Sequence, residues 1–214
     1  MEALTAVCMA TYTCERHVAG QLASSLQSPR VVEVPASDDG STDRTREIAL
    51  GFADARVRLL DGPRAWAIGR FESLLGAASG DFNFLADRGY MWLPDKVIAI
   101  PATPRTANLL VSDCSVVKGE LRLPQASFQA LRQSCAGLLK NLVRNGALGC
   151  CMGFRPRVLD RAPSLPRRVP MLSWWIGLVT ECGGSVRFQR EPLLSCRRAA
   201  HHAMNKTVNL VSDD

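Results

Sequence analysis

Apolar positions along the first hundred residues fall into two alternating rhythms. Leu4-Thr5-Ala6-Val7-Cys8-Met9 is a near-continuous apolar run, the pattern of a strand buried on both faces. From Glu15 to Gln27 the apolar residues Val18, Leu22 and Leu26 recur at a four-residue spacing, which predicts a helix. Val31-Val32-Glu33-Val34 predicts a second strand, and Asp43 to Phe52, with Ile48 and Phe52 on one face, a second helix. Val57 to Leu60 predicts a third strand, and Ile68 to Ala78 a helix with Gly80 as its C-cap. Phe82 to Ala86 follows as a fourth strand, then a polar turn, a helix opened by Pro94, and a fifth strand over Leu109 to Ser112. Strands and helices alternating in this way imply an α/β fold, a mostly parallel sheet flanked by helices on both faces.

The rhythm is less regular in the second half. Gln125 to about Asn145 reads as helical, Gly149 to Phe154 as an apolar run, and Pro156 to Pro170 as a proline- and arginine-rich loop. Trp174, Trp175 and Leu178 fall on a predicted helix, and Val186-Arg187-Phe188 on a strand. The polar tail from Ala199 has the composition of a loosely held chain end. The expected organisation is a single domain over 1–198, divided into halves 1–115 and 116–198, with a tail over 199–214.

Bulk properties narrow the choices. At 214 residues the chain has the length of one ordinary domain, and 47% hydrophobic with 21% charged residues is a globular composition. No apolar run nears the roughly 18 residues of a membrane span, and the first strand begins without a charged leader or cleavage site, so a cytoplasmic protein is expected. The net charge of +6 is mostly arginine, clustered at Arg161, Arg167-Arg168 and Arg197-Arg198. Such clusters suit either a solvated basic face or contact with phosphates or an anionic membrane. Aromatic residues are 6% and do not interleave with the basic clusters, which disfavours a nucleic-acid reader. The eight cysteines are scattered without a CxxC pair, so free, mostly buried thiols are expected.

Ser37-Asp38-Asp39-Gly40-Ser41-Thr42-Asp43 lies at the carboxyl end of the second strand, where open parallel sheets bind ligands. Gly40 permits a tight turn, and Thr42 or Asp43 can cap the next helix. Those roles leave the adjacent acids Asp38 and Asp39 unexplained; two carboxylates side by side gain from a donor such as a nucleobase imide N–H or a ribose hydroxyl.

These residues, with Met9-Ala10-Thr11-Tyr12 and Glu15-Arg16 before them and Arg44-Thr45 after, resemble the opening of the family 2 glycosyltransferases. The resemblance continues in order through Ile68-Gly69-Arg70-Phe71, Ala78-Ser79-Gly80-Asp81, Phe84-Leu85-Ala86-Asp87 and Trp92-Leu93-Pro94-Asp95-Lys96. It resumes in Gly149 to Arg155, Trp174-Trp175-Ile176-Gly177-Leu178 and Glu191-Pro192-Leu193-Leu194, and is nearest to rhamnosyltransferase-like members that build surface polysaccharide. It implies a GT-A nucleotide-diphospho-sugar transferase fold, with 1–115 as the nucleotide-sugar-binding half and 116–198 as the acceptor half. The implied donor is a UDP- or dTDP-linked sugar held by Thr11, Tyr12, Glu15, Asp38, Asp39 and Asp87, with Arg70, where the family commonly has Asn, and Arg88 as further candidates beside it. A glycan or lipid-linked acceptor and inversion at the anomeric centre are also implied; Trp174 and Trp175 suit stacking on the acceptor sugar, with a place in the core as the equal alternative, and the basic face suits peripheral docking at the inner membrane face.

Glycosyl transfer needs charge neutralised on the departing diphosphate and a base near the acceptor hydroxyl. The family supplies the first with a Mg²⁺ or Mn²⁺ site in an acidic cluster after the fourth strand, and the second with an acid before a Trp-Trp pair. At the first place this chain has Asp87-Arg88-Gly89-Tyr90-Met91-Trp92, so Asp87 stands alone and Gly89 holds its partner's position. At the second it has Leu172-Ser173-Trp174-Trp175, with Ser173 where the base is expected. Arg70 and Arg88 could neutralise the diphosphate instead, and Asp95, Asp113 or Glu181 could stand in for a lost acid. The alternative is a catalytically inactive glycosyltransferase-like protein that binds nucleotides or partners. A nucleotidyltransferase is a third reading, which the missing glycine-rich basic loop near the first strand counts against. His201-His202 with Asn205 resembles the family's tail motif, with a mobile tail as the plainer reading.

Overall fold

A computed structural model describes residues 3–64, 67–87, 90–97, 107–118, 124–161, 169 and 171–198. The first half is built from β1 (Thr5–Thr11), α1 (Glu15–Ser25), β2 (Val31–Asp38), α2 (Thr45–Leu50), β3 (Val57–Asp61), α3 (Ala67–Ala77) and β4 (Phe82–Ala86). These follow the predicted alternation. The second half holds β5 (Tyr90–Trp92), β6 (Leu109–Lys118), β7 (Pro124–Ser127), α4 (Phe128–Arg132), α5 (Leu138–Val143), β8 (Met152–Phe154), α6 (Leu172–Gly183) and β9 (Val186–Arg198).

Among the described residues these strands form one sheet in the order β3-β2-β1-β4-β8-β6-β9-β5, with β7 on β6. β1, β2, β3 and β4 pair in parallel, as do β6 and β9. β8 lies antiparallel to both β4 and β6, so those two strands point the same way. The mostly parallel α/β sheet expected from the sequence is present. β1 explains why its run is apolar on both faces: Cys8 and Ala10 enter one buried cluster with Leu74 of α3 and Ile176 of α6. Val7 and Met9 enter the other, with Val18 and Leu22 of α1 and Ala49 of α2. Each fully buried leucine among these contributes about 1.5–3 kcal/mol.

Four local expectations are corrected. The stretch from Gln125 is not one helix: residues 124–127 pair with β6, and the chain turns helical only at Phe128. That helix stops at Gln133, whose φ of 49° is left-handed, and α5 starts afresh after Gly137. The helix opened by Pro94 is a single 3-10 turn over Pro94–Lys96. Part of the proline-rich loop, Pro156–Arg161, is likewise 3-10. The polar turn after β4 contains the short strand β5, which borrows its partner from β9 rather than from a sequence neighbour. The tail 199–214, with His201, His202 and Asn205, lies outside the described residues.

Cys8, Cys14, Cys114, Cys150 and Cys151 are buried free thiols, while Cys135 and Cys182 are exposed. Burial, with Glu33 adding to it, pushes the Cys8 thiol up to about 12, which keeps it protonated and inert at neutral pH.

The core also holds a cation. Lys96 is 1% exposed, and its Nζ lies 4.5 Å from the Trp92 ring centre and 5.5 Å from that of Phe84, donating to the Cys150 carbonyl. Burial pushes this ammonium down to about 8 from 10.5, against the opposite pull of Cys151, Cys150 and Cys114. Between those two values the unfolded chain keeps a proton that the folded chain has released, so stability gains with rising pH there, by up to about 1.4 kcal/mol per unit. Chemical denaturation of wild type and Lys96→Met across that window should show the wild type gaining relative to the variant. A constant difference would mean that Lys96 titrates normally.

Candidate functional site

Strand register brings the predicted donor residues to one end of the sheet. Thr11 pairs with Asp38 across β1 and β2, and Met9 with Ala86 across β1 and β4, so Asp87 emerges beside the same end. Ser37 and Asp38 prove to be the last residues of β2, and the loop proper starts at Asp39.

Asp38 is 1% exposed and serves the loop itself. Its carboxylate accepts from the backbone N–H of Gly40 at 3.2 Å and of Ser41 at 3.0 Å, from the Ser41 hydroxyl, from Thr11 Oγ1 at 3.3 Å and from Arg46 Nη1 at 3.3 Å. Burial alone would raise the Asp38 pKa; the hydrogen bonds from Ser41, Arg46 and Gly40 outweigh it and hold the carboxyl below its ordinary value. Arg46 carries the link onward to Asp61 at the end of β3, 2.9 Å away. Gly40 sits at φ 91°, a conformation that a side chain rarely adopts.

Glu15 is similarly occupied. Its carboxylate accepts from the Arg44 N–H at 3.1 Å, while its own N–H donates to Asp43 at 3.0 Å. Asp43 also accepts from the N–H and hydroxyl of Thr45, which opens α2. The two acids thus cap each other's helices reciprocally, tying the start of α1 to the start of α2.

Asp39 differs from its neighbour. Its side chain is 9% exposed, and Oδ2 meets Arg70 Nε at 3.1 Å. Its Oδ1 is buried and has no hydrogen-bond partner among the described residues. The same Arg70 guanidinium stands 5.8 Å from the centre of the Tyr12 ring, which is 43% exposed. Tyr12, Arg70 and Asp39 therefore form one rim, an aromatic face followed by a cation and a carboxylate. Gly62 closes the floor: its N–H donates to the Asp38 carbonyl at 2.7 Å.

Asp87 is exposed at the end of β4, where its carbonyl accepts from Gln21 Nε2. Arg88 and Gly89 lie outside the described residues. No group of three or more His, Cys, Asp or Glu suited to a metal ion occurs among the described residues. With the Asp38 carboxylate committed to the loop, Asp87 is the acid that the described residues offer at this position, and a divalent ion held by it would take its remaining oxygens from water or from a ligand.

On the far half, Ser173 of α6 is 4% exposed and lines a cavity of about 10 Å³ with Leu109, Val111 and Ala147. Such a space holds about one water. Trp174 donates its indole N–H to the Asn141 carbonyl. Trp175 packs against the core cluster of α3 and α6, and its N–H is buried without a partner. Glu181 accepts from the Gly137 N–H and from Asn141. Asp95 is exposed on the 3-10 turn. Asp113 is buried and accepts from the N–H groups of Cys114 and Gln129 and from the Ser127 hydroxyl.

Two features were not expected from the sequence. Arg46 and Asp61 extend the Asp38 network; a basic residue in the first turn after an acidic loop was the available signal. A cavity of about 340 Å³ beside Asp113, Ser127, Gln129 and Arg190 left no sequence signal, because it depends on β7 and α4 folding onto β6.

This mostly parallel sheet, with an acidic loop at its carboxyl ends beside an aromatic ring and a guanidinium, has the GT-A architecture. The sequence model described as Glycosyl transferase family 2 matches residues 6–99. Over 96 residues the chain is 32% identical to the Escherichia coli enzyme WfgD, a UDP-Glc:alpha-D-GlcNAc-diphosphoundecaprenol beta-1,3-glucosyltransferase, covering 44% of this chain and 38% of that one. The fold is similar to S. aureus TarS 1-349 in complex with UDP-GlcNAc, with TM-score 0.73, 16% identity, and coverage of 94% of this chain and 60% of that one. It is also similar to the mannosyltransferase PcManGT from Pyrobaculum calidifontis in complex with GDP-Man and Mn²⁺, with TM-score 0.67, 19% identity and coverage of 95% and 59%. The sequence match to that family covers residues 6–99, and the likeness of the two structures extends over nearly the whole chain and is one of fold. It spans well under half of WfgD and about 60% of the two structures.

Gly62 offers a direct probe of the loop. A Cβ there would come 2.7 Å from the Asp38 carbonyl and 2.8 Å from Asp39 Oδ1. Gly62→Ala should therefore displace Asp39 and cost about 1–3 kcal/mol, read by urea denaturation. Unchanged stability would mean that the loop is not packed against β3.

Proposed function

We propose that this chain is a glycosyltransferase that binds a UDP- or dTDP-linked sugar and transfers it to a polysaccharide or lipid-linked acceptor at the inner face of a membrane. One observation carries the donor half of this reading: the buried Asp39 Oδ1 with no partner among the described residues, held between Arg70 and the floor at Gly62. A buried carboxylate oxygen without a donor is costly, and a uracil or thymine imide N–H supplies one. Tyr12 offers a face to the base. Thr11 and Glu15 act on the donor through the loop, by holding Asp38 and Arg44.

Residues 1–115 provide this donor half and 116–198 the acceptor half, with Trp174 and Trp175 on the acceptor side. In the transfer, the acceptor oxygen attacks the anomeric carbon from the face opposite the diphosphate and gives up its proton to solvent water, the carbon–oxygen bond to the diphosphate breaks with its electron pair leaving on the diphosphate, and the configuration inverts. Arg70 and Arg88 favour the departing diphosphate by opposing its growing negative charge. Asp87 alone would hold a divalent ion only weakly.

A second reading, a non-catalytic nucleotide binder of the same fold, is favoured by the acceptor side. Ser173 is buried where an acid is expected, the Asp113 carboxylate is already engaged, and Glu181 spends Oε1 on the Gly137 N–H and Asn141 with its Oε2 buried. Sugar release from the donor separates the two readings, while donor binding is common to both.

Thermal-shift titration with UDP and dTDP tests that common part. Both should stabilise the wild type, with little added by Mn²⁺. Asp39→Asn should lose most of the shift at nearly unchanged intrinsic stability, whereas Asp38→Ala should lower stability by about 3 kcal/mol or more, because it strips a buried charge network. No shift with either nucleotide would sink the donor reading, and a large Mn²⁺-dependent shift would sink the account of the metal position.

A further inference from the structure

From residue 121 to residue 159 the sequence has six Lys and Arg and no Asp or Glu. The chain holds 26 basic and 20 acidic residues, so this stretch carries the whole charge excess and the remainder is balanced. Within it lie α4 and α5, which turn apolar side chains outward. Leu131 is 61% exposed, Leu139 81%, Leu142 50% and Val143 87%. Leu139, Leu142 and Val143 are three and four positions apart and share one face of α5.

The inner face of α5 is polar. Asn141 is buried there: its Nδ2 donates to Glu181 Oε1 at 2.9 Å and to the Cys135 carbonyl at 3.1 Å, and its own carbonyl accepts from Trp174. A surface helix of a globular protein normally turns its apolar stripe to the core. α5 is largely inverted, with its amide buried, Leu138 half-buried, and Leu139, Leu142 and Val143 outward. Lys140 and Arg144 are exposed beside them, and Arg132 of α4 lies close by. Burial and the nearby charge of Arg144 both lower the pKa of Arg132, so these cations crowd one another. The acid facing α5, Glu181, is engaged inward by the Gly137 N–H and Asn141.

We propose that this face, Leu131, Leu139, Leu142 and Val143 flanked by Lys140 and Arg144, docks the protein on an anionic lipid surface. The apolar side chains enter the boundary between headgroups and acyl chains, and the cations lie among the phosphates. A second copy would also cover an apolar patch. An isologous contact, however, would set Lys140 and Arg144 against their own copies, and like charges there repel. Among the described residues no helix is long and apolar enough to cross a membrane, so attachment through this face is peripheral. The proposal rests on the membrane-face reading above for its purpose, but its physical basis is this surface alone.

Co-sedimentation of the full chain with vesicles tests it, comparing phosphatidylglycerol mixed into phosphatidylcholine with phosphatidylcholine alone. Binding should require the anionic lipid. Lys140→Gln with Arg144→Gln should weaken it roughly 25-fold, from the attraction of each cation to an anionic surface. Leu139→Ser with Val143→Ser, both at exposed positions, should also weaken it while leaving thermal unfolding unchanged. Equal binding to neutral vesicles, binding unchanged in both variants, or a dimer that the serine substitutions dissolve would each overturn the proposal. The vesicles contain neither donor nor acceptor, so failure here leaves the nucleotide reading standing, and loss of UDP binding leaves this one standing.

Discussion

The buried carboxylate of Asp38 is the constraint on which the carboxyl end of this parallel sheet depends. It gathers two backbone N–H groups, two hydroxyls and a guanidinium onto one side chain at the end of β2. Those bonds fix the path from Gly40 to Ser41, join β1 to β2 through Thr11, and reach β3 through Arg46 and Asp61. An anion with this many donors stays ionised although buried, and removing it would leave several polar groups unmatched. The rigid loop that results holds Asp39 against Gly62 and Arg70 with one oxygen unmatched.

Adjacent acids have thus divided two tasks. Asp38 is consumed by architecture, while Asp39 keeps acceptor capacity for a ligand. Glu15 sides with architecture too, because its exchange with Asp43 and Arg44 joins two helix starts. On the donor reading proposed above, Tyr12, Arg70 and Asp39 form a shaped rim over this structural base.

Much of this was legible in the sequence. The strand-helix alternation through residue 86 follows from local periodicity, which each β-α unit expresses without help from distant segments. The acidic loop and Gly40 marked the turn at the carboxyl end of β2. Which acid was structural could not be read, since both have the same chemistry and differ only in the neighbours that strand pairing brings. β5 and β7 were missed because short strands owe their form to partners: Tyr90–Trp92 pairs with β9 a hundred residues later. Lys96 gave no sign of burial, being a charged residue in a polar turn. The burial of Ser173 likewise depends on α6 packing against β6, a contact that no local pattern records.

The account centres on Asp39 as the acceptor of a pyrimidine imide N–H. Calorimetric titration with UDP and with its N3-methyl analogue tests that bond directly, since methylation removes the N–H and leaves ribose and diphosphate intact. The account predicts that UDP binds and that the analogue is weaker by about 10–150-fold, the loss of one hydrogen bond to a charged group. Equal affinity for the two would contradict it.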